Sequence, residues 1–396
     1  MKRIFATAAA ALLLIASCSQ KKEEPMSLRM VRSEMARCQD ATYLDFCKGK
    51  INWNYTPGLE LKSFLDVYET YGGDDILKYV DDWYELCIED SGRITYYNSG
   101  NYTVDKVCPA RTLYQLLDIT GKEKYRFAID SMMTRLSQHP RTSEGVFWHK
   151  TVYPYQIWLD GLYMAGPFYS EYVKRYAGDK EEGYKDVLND FLIAARHTYD
   201  PATKLYRHAW DETHSMFWCD PETGQSQHCW GRALGWYCMA AVEVLDLIPD
   251  GTEGKDELIG ILRGIVDVLP EYADPESGVW YQVLDQPGRE GNYLEATCSA
   301  MFTYTMLRGI RAGYLDASLK EYAMKTYDNL VKAFITEDEE GLISINNCCS
   351  VGGLGGSNNR MGDFAYYLSE PVRSNDPKGV GPFIWASLEM ERLDRK

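Results

Sequence analysis

The sequence predicts an all-α protein folded as an (α/α)6 barrel, with a single domain over residues 27–396. The first observation is an internal repeat. Six stretches join an entry loop rich in Gly, Pro, Asn and Tyr to an apolar helix-like run, at 53–72, 101–121, 153–178, 228–249, 291–316 and 379–394. The second observation is that charged amphipathic segments alternate with them, at 74–90, 122–139, 182–200, 254–274 and 318–338. The third is that residues 26–44 supply a sixth amphipathic helix.

Two concentric rings follow from this pattern. A helix that is apolar all round is buried, whereas a helix with one polar face lies outside. The alternative is an open helical solenoid, which needs capping repeats that the sequence does not show. The loops that enter the inner helices converge on one mouth, and short strands are possible across them. Residues 344–379 predict a long ordered loop over that mouth, and the "GGLGG" run within it carries no nucleotide-binding pattern.

Charge and composition narrow the class of ligand. The net charge of −16 argues against a nucleic-acid partner, which requires a basic face. The chain holds 30 Tyr and 10 Trp, and such aromatic rings line large cores or sugar-binding clefts. An acidic chain of this kind binds an anionic substrate only through a local cluster of cations.

The N-terminal segment predicts export and lipidation. Lys2 and Arg3 precede a short apolar stretch that ends in "IASC", which resembles a bacterial lipobox. We expect residues 1–18 to be a lipoprotein signal peptide ending at the lipidated Cys18, and 19–26 to be a tether. The protein would then be periplasmic or at the cell surface, in contact with a membrane only through this anchor. The alternative is an ordinary secretory peptide with an incidental cysteine.

The remaining ten cysteines indicate no metal centre. They are scattered along the chain without the spacing of a zinc site, and several lie in apolar helix-like runs. We expect mostly free thiols and no structural metal. No P-loop, dinucleotide fingerprint, nucleophile elbow or HExxH motif is present, so no cofactor is predicted.

Two aspartates are the catalytic candidates. Asp160 lies among apolar neighbours in "YPYQIWLDGLYM", just after a helix start expected near 154–156. Burial raises the pKa of such a carboxyl group and the helix dipole lowers it, so its net direction stays open. Asp105 occupies the equivalent junction of the preceding repeat. Each aspartate is equally consistent with a helix-terminal capping role.

The other candidates are substrate-binding residues at the same mouth. Arginine and lysine suit a carboxylated sugar, and tryptophan stacks on a pyranose ring. For several of these residues a purely structural role is as plausible as a sugar contact. Asp211 and Glu212 are loop charges, or else a second catalytic acid. The substrate-binding candidates are His149, Lys150, Trp158, His208, Arg232, Trp236, Trp53 and Tyr55.

Several long motifs resemble those of one enzyme family. The segments "WNYTPGLELK", "FWHKTVYPYQIWLDGLYMAGPF", "HAWDE", "WGRALGWY" and "NDPKGVGPFIWASLEME" are similar to the unsaturated rhamnogalacturonyl hydrolases, glycoside hydrolase family 105. The resemblance runs from about residue 30 to the C-terminus and implies an (α/α)6 barrel. It also implies that Asp160 is the general acid and then base and that Asp105 is its partner carboxylate. The residues implied to contact the sugar are Lys150, His208, Arg232 and Trp236.

The resemblance further implies hydration of the C4=C5 double bond of a terminal unsaturated uronic acid, in oligosaccharides left by a pectin lyase. Asp160 would protonate C4, and water would add at C5. Such an acid is most effective with a raised pKa. The alternatives are an unsaturated uronidase for ulvan or another polyuronide, an inverting glycosidase with two carboxylates, and a non-catalytic glycan-binding lipoprotein.

Overall fold

The computed structural model describes residues 24–97 and 100–394. The predicted signal peptide, Cys18 and most of the tether lie outside these residues. No helix among the described residues is both long and apolar enough to cross a membrane.

The described residues form two rings of helices. Helices α1 to α13 follow chain order, and short strands β1 to β8 lie in the loops. The inner ring consists of α2 (Tyr55–Tyr71), α4 (Thr112–Thr120), α6 (Leu159–Tyr176), α8 (Gly231–Leu247), α10 (Ala296–Ala312) and α13 (Pro377–Asp394). The outer ring consists of α1 (Met26–Arg37), α3 (Asp74–Cys87), α5 (Glu123–Ser137), α7 (Lys180–Thr198), α9 (Lys255–Val268) and α11 (Lys320–Phe334).

The inner ring closes on itself. Helix α2 packs against the 3-10 turn Cys108–Arg111 that leads into α4, this turn packs against α6, and α6, α8, α10 and α13 follow until α13 returns to α2. Helix α1 packs against α13 and α2 and fills the remaining gap in the outer ring. The (α/α)6 barrel is therefore confirmed, and the open solenoid is excluded.

Burial explains which helices lie inside. In α8 every residue from Gly231 to Leu245 is buried, as expected for a helix surrounded by others. In α3 the buried residues recur with helical spacing along one stripe, which leaves the opposite face to solvent. This stripe consists of Ile76, Tyr79, Val80, Trp83, Tyr84 and Cys87.

The loops contain the short strands that the sequence allowed. They form four two-stranded antiparallel ribbons. The ribbons are β1 (Gln156–Trp158) with β4 (Ala209–Asp211), β2 (Tyr199–Asp200) with β3 (Leu205–Tyr206), β5 (Ile335–Glu337) with β6 (Ile343–Ile345), and β7 (Cys348–Cys349) with β8 (Val372–Arg373).

The segment 344–379 lies over the mouth, as its Gly- and Asn-rich composition suggested. It is not all loop, because it includes β7, β8 and the short helix α12 (Phe364–Ser369). Leu354 of this segment is buried against Trp158 and Trp218, which fixes the segment to the wall beside α6.

Candidate active site

The start of α6 differs from the sequence expectation. The helix begins at Leu159, because residues 156–158 pair as β1 with β4. Tyr155 has a positive φ of 63°, which breaks any continuous helix from Pro154. The expected start near 154–156 is therefore wrong. Asp160 stands at the second position of the helix, close to its positive dipole end.

The β1–β4 ribbon brings His208 to Asp160. The backbone N–H of Leu159 donates to the carbonyl oxygen of His208 at 3.1 Å, so the two side chains leave adjacent backbone positions. His208 Nε2 lies 3.2 Å from Asp160 Oδ2, although the two atoms are not aligned as a hydrogen bond. His208 Nδ1 lies 2.8 Å from the hydroxyl of Tyr367, and both rings are fully buried. Tyr367, His208 and Asp160 thus form one chain of polar groups.

Burial and the nearby charged groups determine the direction in which the pKa of Asp160 is shifted in the free protein. Burial raises the pKa of this carboxyl group, but the nearby His208, His149 and Arg232 lower it, and the net direction is downward. The balance that the sequence left open therefore falls on the lowering side. The raised pKa that suits a proton donor is not a property of the free site.

Asp105 is held by Lys150 and His149. The N–H of Val104 donates to the carbonyl oxygen of His149 at 3.2 Å, which aligns the two loops. Lys150 Nζ then lies 2.5 Å from Asp105 Oδ2, and His149 Nε2 lies 3.7 Å from Oδ1. Burial raises the pKa of Asp105, but Lys150 above all lowers it, and the net direction is downward. Asp160 opposes this shift, which places the two carboxylates within each other's field.

His149 is a neutral member of this cluster. Burial is the largest cause that lowers its pKa, to about 4, although Asp105 acts in the opposite direction. Its ring stacks on Trp158 with a centroid distance of 4.6 Å. Its Nδ1 has no hydrogen-bond partner among the described residues, so it offers a polar atom in a buried setting.

Arg232 supplies a buried cation. It lies at the start of α8, is 2% exposed and stacks over the ring of Trp230 at 4.6 Å. One guanidinium N–H group donates to the carbonyl oxygen of Cys349. Within the described residues Arg232 forms no ion pair with a carboxylate, and its Nε has no hydrogen-bond partner. A buried arginine in this state can pair with an anionic ligand.

The predicted aromatic residues lie at different depths of the site. Trp236 is 1% exposed and packs between Tyr163 and the half-buried Tyr55, on the same helix as Arg232. Trp53 is fully buried and stacks on Trp83, which makes it a packing residue. Trp158 is also buried, with the rings of His149 and Tyr153 stacked on it.

The two loop acids are structural. Asp211 is fully buried and accepts hydrogen bonds from the N–H groups of Ser215 at 2.8 Å and Met216 at 3.0 Å. Glu212 accepts from the N–H of Ser143 at 2.9 Å, in an exposed contact between two loops. Neither is placed as a second catalytic acid.

The structure therefore brings together most of the predicted residues and adds others. It gathers Asp105, His149, Lys150, Asp160, His208, Arg232 and Tyr55. The sequence analysis did not identify Tyr367, Tyr153 or Arg360. The first two carry only the signal of aromatic residues in mouth loops, and Arg360 follows the glycine run at 352–356.

No metal site is formed by the described residues, since no three of their His, Cys, Asp or Glu side chains are grouped so as to hold an ion. Two buried carboxylates, buried cations and aromatic rings at the mouth of an (α/α)6 barrel define a carbohydrate-active enzyme.

The model of Glycosyl Hydrolase Family 88 matches residues 26–394, so the chain belongs to this family and is a glycoside hydrolase. The resemblance to family 105 is also confirmed. A solved structure from C. acetobutylicum, described as a glycoside hydrolase from family 105, is 42% identical with a TM-score of 0.89, over 93% of this chain and 100% of that one.

Two curated relatives extend the comparison. The unsaturated rhamnogalacturonyl hydrolase YesR of Bacillus subtilis is 28% identical over 298 residues, which is 74% of this chain and 78% of YesR. A 24.9 kDa protein in the picA locus of Rhizobium radiobacter is 36% identical over 241 residues, 59% of this chain and 100% of that protein.

Proposed function

We propose that this glycoside hydrolase removes a 4,5-unsaturated uronic acid from the non-reducing end of rhamnogalacturonan oligosaccharides. The observation that carries the proposal is Arg232, a buried cation without a carboxylate partner among the described residues, close enough to Asp160 to lower its pKa. Such a cation suits the carboxylate of a uronic acid. The relative YesR acts, by its name, on an unsaturated rhamnogalacturonyl substrate.

The proposed chemistry is addition of water to a double bond. Asp160 gives a proton to C4, positive charge develops at C5, and a water molecule adds there after losing a proton to Asp160 or Asp105. The resulting hemiketal opens and releases the aglycone. No bond to the anomeric carbon has to be attacked by the protein.

Substrate binding supplies the protonated form of Asp160. In the free protein His208, His149 and Arg232 keep the pKa of this carboxyl group low. A substrate carboxylate beside Arg232 offsets the positive charge of this residue, and the bound sugar displaces water. Both changes raise the pKa of Asp160, so the acid becomes a proton donor in the complex.

An absorbance assay tests the reaction. Hydration destroys the ultraviolet absorbance of the unsaturated uronide, and we expect this loss with rhamnogalacturonan lyase products. In heavy water deuterium should appear at C4. An enzyme that leaves the absorbance unchanged while it releases reducing sugar is instead an inverting glycosidase.

The residue assignment is tested by Asp160→Asn, which keeps the size of the side chain but removes its proton chemistry. We expect turnover to fall by roughly 10²- to 10⁴-fold, while substrate binding survives. Activity near that of the wild type would show that Asp160 is not the acid. Glu212→Gln is the matched control, because it makes the same acid-to-amide change at a loop carboxylate that binds the backbone of Ser143 in an exposed contact.

The polysaccharide source is tested in the same assay with ulvan-derived and other unsaturated oligosaccharides. A preference for ulvan fragments would overturn the rhamnogalacturonan assignment while leaving the chemistry intact.

We also propose that the protein is an exported lipoprotein anchored through Cys18. The support is the "IASC" motif after a short apolar stretch. Metabolic labelling with a fatty-acid analogue should mark the wild type but not Cys18→Ala. Equal labelling of both proteins would refute the anchor.

A further inference from the structure

The glycine run 352–356 belongs to a short hairpin at the mouth. The N–H of Gly355 donates to the carbonyl oxygen of Arg360 at 2.8 Å, and the N–H of Arg360 donates to that of Gly355 at 3.1 Å. Leu354, inside the run, is buried against Trp158. The hairpin is thus fixed to the wall that leads directly into Asp160.

Two of these glycines make room for the side chain of Arg360. A Cβ atom at position 353 would lie 2.6 Å from Arg360 Nη1 and 2.8 Å from Cζ, and one at position 356 would lie 3.2 Å from Nη2. Arg360 Nη2 also donates to the hydroxyl of Tyr153 at 3.0 Å, and Nε donates to the carbonyl oxygen of Gly355 at 3.2 Å. The glycines therefore leave room for the guanidinium group of Arg360, and Tyr153 and Gly355 orient it by hydrogen bonds.

The charge of Arg360 is left available. Among the described residues no carboxylate forms an ion pair with it, whereas Arg373 in the same mouth segment is paired with Asp45 and Asp376. Arg360 is half-buried, and Nη1 makes no hydrogen bond to the described residues. An oriented guanidinium group with free N–H donors is suited to a carboxylate or a sulfate.

The position of Arg360 indicates which part of a substrate it meets. Arg232 lies deeper, 2% exposed at the start of α8. Arg360 lies farther out, against Tyr153, whose ring stacks on Trp158 at 4.8 Å. An enzyme that removes a terminal sugar holds this sugar at the closed end, and the rest of the glycan leaves through the mouth. Arg360 is half-buried in the segment that lies over this mouth.

We propose that Arg360 is a specificity-determining residue that binds an anionic group, a carboxylate or a sulfate ester, on a sugar beyond the cleaved linkage. This inference rests on the proposed function and extends it from the terminal sugar to the aglycone.

The test compares three unsaturated substrates. The first is a disaccharide whose second sugar is neutral. The second is the same disaccharide with a sulfate ester on that sugar, and the third is a tetrasaccharide that carries a second uronate. With Arg360→Gln we expect kcat/KM to fall roughly tenfold, about 1.4 kcal/mol, for at least one of the anionic aglycones, and to stay near the wild-type value for the neutral disaccharide. The substrate that loses activity identifies the anion as sulfate or carboxylate.

Matched variants separate this role from a general effect of charge or packing. Gly353→Ala should reproduce the selective loss, because its backbone allows alanine and the new methyl group displaces the flexible guanidinium. Arg360→Lys keeps the charge and should recover part of the loss. Arg263→Gln removes the same charge from the exposed face of α9 and should leave all three substrates unaffected.

Two results overturn the assignment. If Arg360→Gln leaves the relative rates on the three substrates unchanged, Arg360 does not bind an anionic group of the aglycone, although the proposed function stands. If the wild-type enzyme consumes none of the unsaturated substrates, the proposed function fails, and the assignment of Arg360 fails with it.

Discussion

Replacing Tyr367 with phenylalanine tests whether a buried hydroxyl group orients His208 beside Asp160, the proposed acid. The hydroxyl lies 2.8 Å from Nδ1 of His208, and both side chains are fully buried. When Tyr367 donates to Nδ1, the ring proton stays on Nε2, the nitrogen that lies 3.2 Å from Asp160 Oδ2. Tyr367→Phe removes the hydroxyl group that sets the position of the ring proton on His208, without changing the shape of the tyrosine ring.

The expected magnitudes follow from the burial of this contact. An unsatisfied buried nitrogen costs about 1–3 kcal/mol of folding free energy. With an unfolding entropy of about 2.1 cal/mol/K per residue, a chain of this size has roughly 0.8 kcal/mol/K, so Tm should fall by about 1–4 °C. If between half and all of the same free energy is lost from the transition state, kcat should fall by roughly 2- to 160-fold.

The assay measures Tm, kcat and the pH dependence of kcat for Tyr367→Phe. Tyr114→Phe is the control, because its buried hydroxyl donates to the carbonyl oxygen of Phe168 at 3.1 Å, between α4 and α6. We expect both variants to lose stability but only Tyr367→Phe to change kcat and its pH profile. If Tyr367→Phe lowers Tm and leaves both kinetic quantities unchanged, its role is structural only, and the reasoning about His208 is refuted.

Two further predictions concern ionisation. Lys150→Met leaves the buried Asp105 carboxylate without its closest cation, so we expect a stability loss on the order of 2 kcal/mol at neutral pH. In the wild type the lowered pKa of Asp105 stabilises the fold above the unfolded pKa, and this contribution is lost as pH falls through the lower folded pKa. The Tm deficit of the variant should therefore shrink as pH falls below about 4. A deficit independent of pH would contradict this. For the wild-type enzyme we expect the basic limb of the kcat profile to lie at higher pH than the basic limb of the kcat/KM profile. The kcat profile reports Asp160 in the complex, whereas the kcat/KM profile reports it in the free enzyme. Coincident limbs would disprove a rise in the pKa of Asp160 on binding.

The barrel could be predicted because its signal is periodic and repeated. A helix such as α8 is apolar on every face, and one such as α3 has a single apolar stripe, so counting both kinds gave two rings of six. The β1–β4 ribbon could not be predicted in the same way. Ile157 and Trp158 continue into the apolar start of α6, a pattern equally typical of a buried helix. Only pairing with residues 209–211, about fifty positions later, makes residues 156–158 a strand.

For a similar reason, the sequence predicts some residues of the candidate site well and others poorly. The equivalent places of Asp105 and Asp160 in two successive repeats put them at one mouth, and the structure places each within the field of the other. The aromatic residues were harder, because the sequence does not distinguish a tryptophan that packs, such as Trp53, from one that faces a cleft. Tyr367 and Arg360 meet partners 159 and 207 residues away, distances at which no local pattern is informative.

In the proposed function, the ionisation of Asp160 links recognition of the substrate to catalysis. Without substrate, His208, His149 and Arg232 lower the pKa of this carboxyl group, although its burial raises it. A neutral sugar in the cleft would leave the charge of Arg232 in place and Asp160 ionised. A uronic acid offsets that charge, so the same anionic group that Arg232 selects also allows Asp160 to hold the proton that it must deliver. Discrimination against neutral sugars would then appear in kcat as well as in KM, because it arises from the protonation state of the acid and not only from the fit of the substrate.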